Sequence, residues 1–217
     1  MINRFMRKWI PSVFVLRQIL RLLLENRDSY LHTTGLIHTF KVGKPETPRG
    51  EPLPWMNFSV IAFLKDRLNR NLTLFEFGSG YSTYFFANLV KKVTSVEYNR
   101  KWHETISFKL PENASLIFKE KDYDGQYCRT VLETKQQFDV IVIDGRDRIN
   151  CAKRACHALS NQGVLLFDDT DREIYRPALE YLVSQGFRRI DFKSMKPASI
   201  KASTATLFYK ANNCLGI

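Results

Sequence analysis

From Leu72 onward the chain alternates between short apolar runs and mixed stretches with helical spacing. The apolar runs predict strands over Leu72–Phe77, Val93–Glu97, Ser115–Lys119, Phe138–Ile143, Val164–Phe167, Arg188–Phe192 and Thr204–Tyr209. The stretches between them predict helices over Ser82–Val90, Arg100–Phe108, Ile149–Leu159 and Ile174–Ser184. Strands alternating with helices imply a parallel sheet covered on both faces. Gly163 and Gly186 fall where helices should end, ahead of the next strand. Only "KSMKPASIKAS" separates the last two strands, with no good helix in it. They therefore predict an antiparallel hairpin appended to the parallel sheet.

Upstream the pattern changes. Residues 31–58 predict a loop-like segment, punctuated by Pro45, Pro48, Pro52, Pro54, Gly43 and Gly50. Within it, "PLPWMNFS" offers Trp55 and Phe58 either as a cover for a ligand or, through Trp55, as an anchor in the core. A helix is expected from Asn57 to Leu68. Residues 1–30 are basic and apolar by turns. The run from Trp9 to Leu24 is interrupted by Pro11, Arg17 and Arg21, and a bilayer needs about 20 apolar residues. No small-residue cleavage site follows, so a secretory signal is not expected. Val13, Leu16, Leu20 and Leu23 share one helical face with Arg17 and Arg21 beside it. That helix is expected to pack on its own domain or on a partner subunit. The alternative is a peripheral contact of residues 1–30 with an anionic membrane face. The division expected is an extension over 1–50 and a domain over 51–217.

Composition narrows the class. Hydrophobic residues at 44% and charged residues at 25% of 217 are ordinary for a globular domain. The formal net charge of +11 is not, and it favours contact with anions: nucleic acid, a lipid surface or an acidic substrate. No RNA-recognition or helix-turn-helix signature selects nucleic acid. Cys128, Cys151, Cys156 and Cys214 form no C-x-x-C pair and predict free thiols in a reducing, cytoplasmic setting.

The candidate chemistry begins at "LFEFGSGYST", a strand, a glycine turn and a helix start. Gly78-x-Gly80-x-x-Thr83 is close to a dinucleotide fingerprint, with threonine at the third glycine. Glu97, about 20 positions on, is placed to accept both ribose hydroxyls of an adenosine cofactor. Glu76 discriminates among such cofactors. A carboxylate at the strand tip repels a pyrophosphate and attracts an ammonium and a sulfonium, as in S-adenosylmethionine.

"FEFGSGYST", "SVEYN", "FDVIVIDG" and the terminal hairpin together resemble the class I S-adenosylmethionine-dependent methyltransferases over roughly Leu72 to Lys210. The resemblance implies a Rossmann-like α/β fold: a seven-stranded, mostly parallel sheet with helices on both faces and an antiparallel last strand. It implies that Glu76, Phe77, Gly78, Ser79 and Gly80 line the methionine end of the cofactor, with Ser82 and Thr83 opening the helix beyond. Glu97 and Tyr98 would hold the ribose, Asp122 or Tyr123 would lie near the adenine, and Asp144 and Gly145 would sit beside the reacting centre. The chain departs from many members in lacking a third glycine close after Gly80.

Two acidic groups end adjacent predicted strands, Asp144 and Asp147 in "VIVIDGRDR" and Asp168, Asp169 and Asp171 in "VLLFDDTDR". Asp144, Asp168 and Asp169 could converge and hold Mg²⁺ or Mn²⁺, as in the metal-dependent O-methyltransferases that the pattern is similar to. Without an ion, Asp144 or Asp168 would serve as a base; the plain alternative is helix capping. Arg146, Arg148, Arg172 and Arg176 crowd the same edge. They either pair with the aspartates or, Arg146 foremost, grip an acidic acceptor such as a uronic acid. The expected function is O-methylation of a small or glycan-like acceptor. A nucleic-acid methyltransferase and a catalytically inactive Rossmann-like binding module are the rivals. His103 and His157 are expected on helix faces away from the site; His32 and His38 lie in the loop-rich entry segment and could approach it, though a structural role is the expectation for each.

Overall fold

The computed structural model describes residues 11–217. The seven strands are β1 (Thr73–Phe77), β2 (Lys92–Glu97), β3 (Ala114–Phe118), β4 (Phe138–Ile143), β5 (Leu159–Phe167), β6 (Arg188–Met195) and β7 (Ala202–Tyr209). They form one sheet in the order β3-β2-β1-β4-β5-β7-β6, parallel except where β7 runs antiparallel to both β5 and β6. This is the Rossmann-like sheet expected, antiparallel last strand included. The order reverses between β1 and β4, the switch point where open α/β sheets leave a crevice at their carboxyl edge.

The helices are α1 (Pro11–Leu20), α2 (Tyr30–Thr33), α3 (Leu36–Val42), α4 (Phe58–Arg67), α5 (Tyr81–Leu89), α6 (Arg100–Ser107), α7 (Gln126–Glu133), α8 (Arg148–Ala155) and α9 (Arg176–Ser184). α4 starts where Asn57 accepts a hydrogen bond from Val60 N at 3.1 Å. Asn99 does the same for α6 through Trp102 N at 3.1 Å. Successive residues of β1 feed opposite faces of the sheet. Leu74 packs with Phe86, Val93 and Val140 on one face; Phe75 and Phe77 pack with Tyr127, Val131 and Ile141 on the other. Burial on both faces explains why the central strands read as continuous apolar runs.

Four features differ from the sequence expectation. Gly163, expected at a helix end, lies inside β5, because the helix stops at Ala155 and the strand already starts at Leu159. α7 was not foreseen: "QYCRTVLE" is only 8 residues long, and its buried face mixes Tyr127, Cys128, Thr130 and Val131, so no apolar run marks it. α3 lies in the segment expected to be loop, and Leu36 and Thr39 on it are buried. The Thr39 hydroxyl accepts from Ala198 N at 2.8 Å, tying this segment to the β6–β7 connection. Trp55 is 49% exposed and anchors nothing; Leu53 and Met56 beside it are the buried anchors. Among the described residues no helix is long and apolar enough to cross a membrane. All four cysteines are free thiols.

Candidate functional site

Two glycines shape the crevice. Gly78 has φ 101°, a left-handed conformation that a side chain would strain. A Cβ there would stand 3.3 Å from the Gly145 Cα, and a Cβ on Gly145 would collide with the Tyr127 hydroxyl. The turns leaving β1 and β4 therefore touch only because both residues lack side chains. Above them opens a cavity of about 410 Å³, walled by both turns, by the end of β2 and by the start of α6.

On the β1–β2 side two carboxylates reach this cavity. Glu76 and Ser95 are register partners on adjacent strands. Ser95 Oγ and Thr83 Oγ1 donate to Glu76 Oε2 at 2.9 and 2.7 Å. Burial pushes the Glu76 carboxyl up from 4.5 to about 7, against the pull of the Ser82, Thr83 and Ser95 hydroxyls. Glu97 is held differently. Tyr98 N and Asn99 N donate to its Oε1 at 2.9 and 2.8 Å, and Ser79 Oγ donates to its Oε2 at 2.9 Å. Among the described residues neither carboxylate has a Lys or Arg within salt-bridge distance.

The β4–β5 side is built the other way. One carboxylate oxygen from each of Asp144, Asp168 and Asp169 lies within 4.8 Å of the others, so the three converge as expected. Two cations already stand among them. Lys196, from the β6–β7 connection, donates to Asp168 Oδ2 at 2.6 Å and to Asp169 Oδ1 at 2.5 Å. Arg148 donates to Asp144 Oδ1 at 2.8 Å, to Asp144 O at 3.0 Å, to Gly145 O at 3.0 Å and to Asp168 O at 2.6 Å. This buried guanidinium ties the tips of β4 and β5 together. Arg172 adds a pair with Asp169 Oδ2 at 2.8 Å.

Burial, then the charge of Asp144, raises Asp168 to about 7 despite Lys196. Burial also raises Asp144, opposed by Arg148 and Lys196. For Asp169 burial is outweighed by Lys196, Arg148 and Arg172, which hold it below the ordinary value. A divalent ion in this group would lie against an ammonium and a guanidinium. With Lys196 in place the donor set does not fit Mg²⁺ or Mn²⁺.

Of the residues expected at the site, Glu76, Gly78, Ser79, Ser82, Glu97, Tyr98, Asp144, Gly145 and Arg146 wall the cavity. Phe77 is packed in the core against Phe75. Thr83 is buried on Glu76, and its hydroxyl accepts from Gly80 N at 3.1 Å. Asp168 and Asp169 stand behind Asp144, off the cavity wall. Asp122 is spent on capping α7, taking Gln126 N at 2.5 Å and Tyr127 N at 3.1 Å. Tyr123 is 80% exposed and, like Asp122, does not wall the cavity.

Two wall residues carried no signal that the sequence reading used. Asn99 follows Tyr98, and Trp102 reaches back across the glycine turn, its indole N–H donating to Ser79 O at 2.8 Å. Their position in the first turn after β2 could have suggested them. Arg146 lies over the Tyr98 ring at 5.4 Å and donates to its hydroxyl at 3.1 Å.

No family model matches the chain, and no curated protein matches it. Solved structures do. A methyltransferase candidate from Streptococcus mutans, in complex with SAH, is 14% identical over 69% of this chain and 94% of its own, with a TM-score of 0.50. An rRNA methylase from Streptococcus thermophilus is 15% identical over 70% and 96%, with a TM-score of 0.50. A candidate O-methyltransferase from Klebsiella pneumoniae is 14% identical over 90% and 96%, with a TM-score of 0.53. At these identities the likeness is one of fold, and this chain has the Rossmann-like fold of class I methyltransferases.

Proposed function

We propose that this chain is an S-adenosylmethionine-dependent methyltransferase acting on a hydroxyl oxygen of a small or glycan-like acceptor that carries negative charge. The carrying observation is Glu76, a buried carboxylate on the cavity wall with Glu97 nearby and no basic partner among the described residues. A ligand with positive groups supplies the counter-charge that Glu76 lacks, whereas a pyrophosphate adds like charge. When bound, S-adenosylmethionine supplies an ammonium, two ribose hydroxyls and a methyl group whose bonding pair stays with sulfur as the new bond to oxygen forms.

The chain's own residues do the rest. Ser79 releases Glu97 Oε2 to a ribose hydroxyl by turning its own hydroxyl away. Asp144 is the aspartate of the acid group that faces the cavity, and it receives the acceptor's proton. Arg148, which donates to its Oδ1, positions it. Arg146 and Arg172, on the cavity wall, grip the acceptor's anionic group. Trp102 holds the glycine turn against the cofactor.

The test is methyl transfer from labelled donor to uronic acids, neutral sugars and RNA. Transfer to an acidic glycan that is lost in Arg146→Ala supports the reading. Transfer to RNA alone, with a steep salt dependence, would replace its acceptor half; the net charge of +11 favours that rival. Donor binding with no transfer to any acceptor class would leave a binding module.

A further inference from the structure

We infer that Lys196 is the resident cation of the Asp144–Asp168–Asp169 group, standing where a divalent ion would otherwise bind. The inference deepens the proposed function, since it concerns the reacting edge of the same cavity. Three observations combine. Three carboxylates from two strand ends converge within 4.8 Å. Asp168 Oδ1 is buried with no hydrogen-bond partner among the described residues, an acceptor left open beside the group. The Lys196 ammonium bridges Asp168 Oδ2 and Asp169 Oδ1, with its side chain only 14% exposed. An ammonium and a divalent ion serve the same need here, offsetting adjacent anions in a largely buried site. Lys196 also comes from the β6–β7 connection, which α3 braces through Thr39. The cation is thus delivered by the fold and needs no metal supply.

The experiment titrates Mn²⁺ into the full chain, reading free Mn²⁺ by electron paramagnetic resonance, with wild type, Lys196→Met and Lys196→Arg. Wild type and Lys196→Arg should bind no Mn²⁺ below millimolar concentration. Lys196→Met should gain a site at least tenfold tighter, removed again by Asp168→Asn. If Lys196→Met folds only when Mn²⁺ is present, the inference also holds. Micromolar binding by wild type would overturn it, as would a folded Lys196→Met without the gain, or a Lys196→Met that fails to fold with and without Mn²⁺. None of these readouts uses the methyl donor, so failure here is distinct from failure of the proposed function.

A second observation stands apart from the site. α1 presents Val15, Leu16, Ile19 and Leu20 at 45–55% exposure, and Leu22 just beyond it at 61%. At 100° per residue, Val13, Val15, Leu16, Ile19 and Leu20 cover about half the circumference of α1; Arg17 and Gln18 lie on the other half, on either side of the half-buried Phe14, and Arg21 continues that half. Residues 1–30 carry Arg4, Arg7, Lys8, Arg17, Arg21 and Arg27 against Glu25 and Asp28. The geometry points to an anionic phospholipid surface as the occupant, because a second copy would bring like charge against like. It does not favour packing on the chain's own domain.

Flotation of the full chain with phosphatidylcholine vesicles, with and without phosphatidylglycerol, tests this. Flotation should need the anionic lipid, weaken with salt and be lost in the Leu16→Glu, Leu20→Glu double variant. Absence of flotation, flotation unchanged in the variant, or a dimer by sedimentation that the same variant dissociates would each overturn it.

Discussion

The two acidic halves of the crevice are built on opposite plans. Glu76 and Glu97, at the ends of β1 and β2, are held by hydroxyls and backbone amides alone. Asp144, Asp168 and Asp169, at the ends of β4 and β5, are held by Lys196, Arg148 and Arg172. Hydrogen bonds orient a carboxylate without cancelling its charge; a buried cation does both. The first half therefore waits for a positive ligand. The second has its counter-charge built in, and its capacity is left for handling a proton.

The sharpest way to break this comparison is at Asp144. Asp144→Asn should cost roughly 10²- to 10⁴-fold in turnover, the usual reach of a general base, while S-adenosylhomocysteine affinity stays within a few-fold. Steady-state kinetics beside calorimetry separates the two effects. Next in size is Arg148→Met, which removes a buried cation from Asp144 and from three carbonyls. Breaking a buried pair costs about 3–5 kcal/mol, readable as a lower denaturant midpoint. Glu76→Gln should weaken S-adenosylmethionine by about 1.5–3 kcal/mol, the range for hydrogen bonds to a charged group, and S-adenosylhomocysteine by less because its sulfur is neutral.

A pH series sharpens the same contrast. The Glu76 carboxyl goes from 4.5 in the unfolded chain to about 7 in the fold. Between those values the unfolded chain has released a proton that the folded chain keeps. Stability without ligand should therefore decline as pH rises through that window and level off above it. Glu76→Gln should flatten the decline, the remainder coming from Asp168, which burial raises to about 7, and from Asp144, which burial also raises. A cationic ligand favours ionised Glu76, so donor affinity should increase as pH rises toward 8. The smallest effect is a control. Asp122→Ala removes the cap of α7 and should lower stability by about 1 kcal/mol, with donor affinity unchanged.

Local signals carried most of the sequence reading. β1, its glycine turn and the strand-end carboxylates Glu97 and Asp144 are legible because strand, turn and helix start are contiguous in the chain. Lys196 was not, since it lies 28 residues from Asp168 and meets it only through the β5–β7–β6 arrangement. Trp102 was hidden for a related reason: its hydrogen bond to Ser79 spans 23 residues and depends on α6, packed on β2 and β3, reaching across to the glycine turn. Asp122 looked like an adenine contact because α7, the helix it caps, is short and largely polar and was not foreseen.

Calorimetry of S-adenosylmethionine on wild type and Glu76→Gln at pH 8, with NAD as comparator, tests the claim about Glu76 most directly. The account predicts one-site binding to wild type, an affinity lower by roughly tenfold or more in the variant, and no binding of NAD. Equal affinity for the two proteins, or NAD binding in place of the methyl donor, would contradict it.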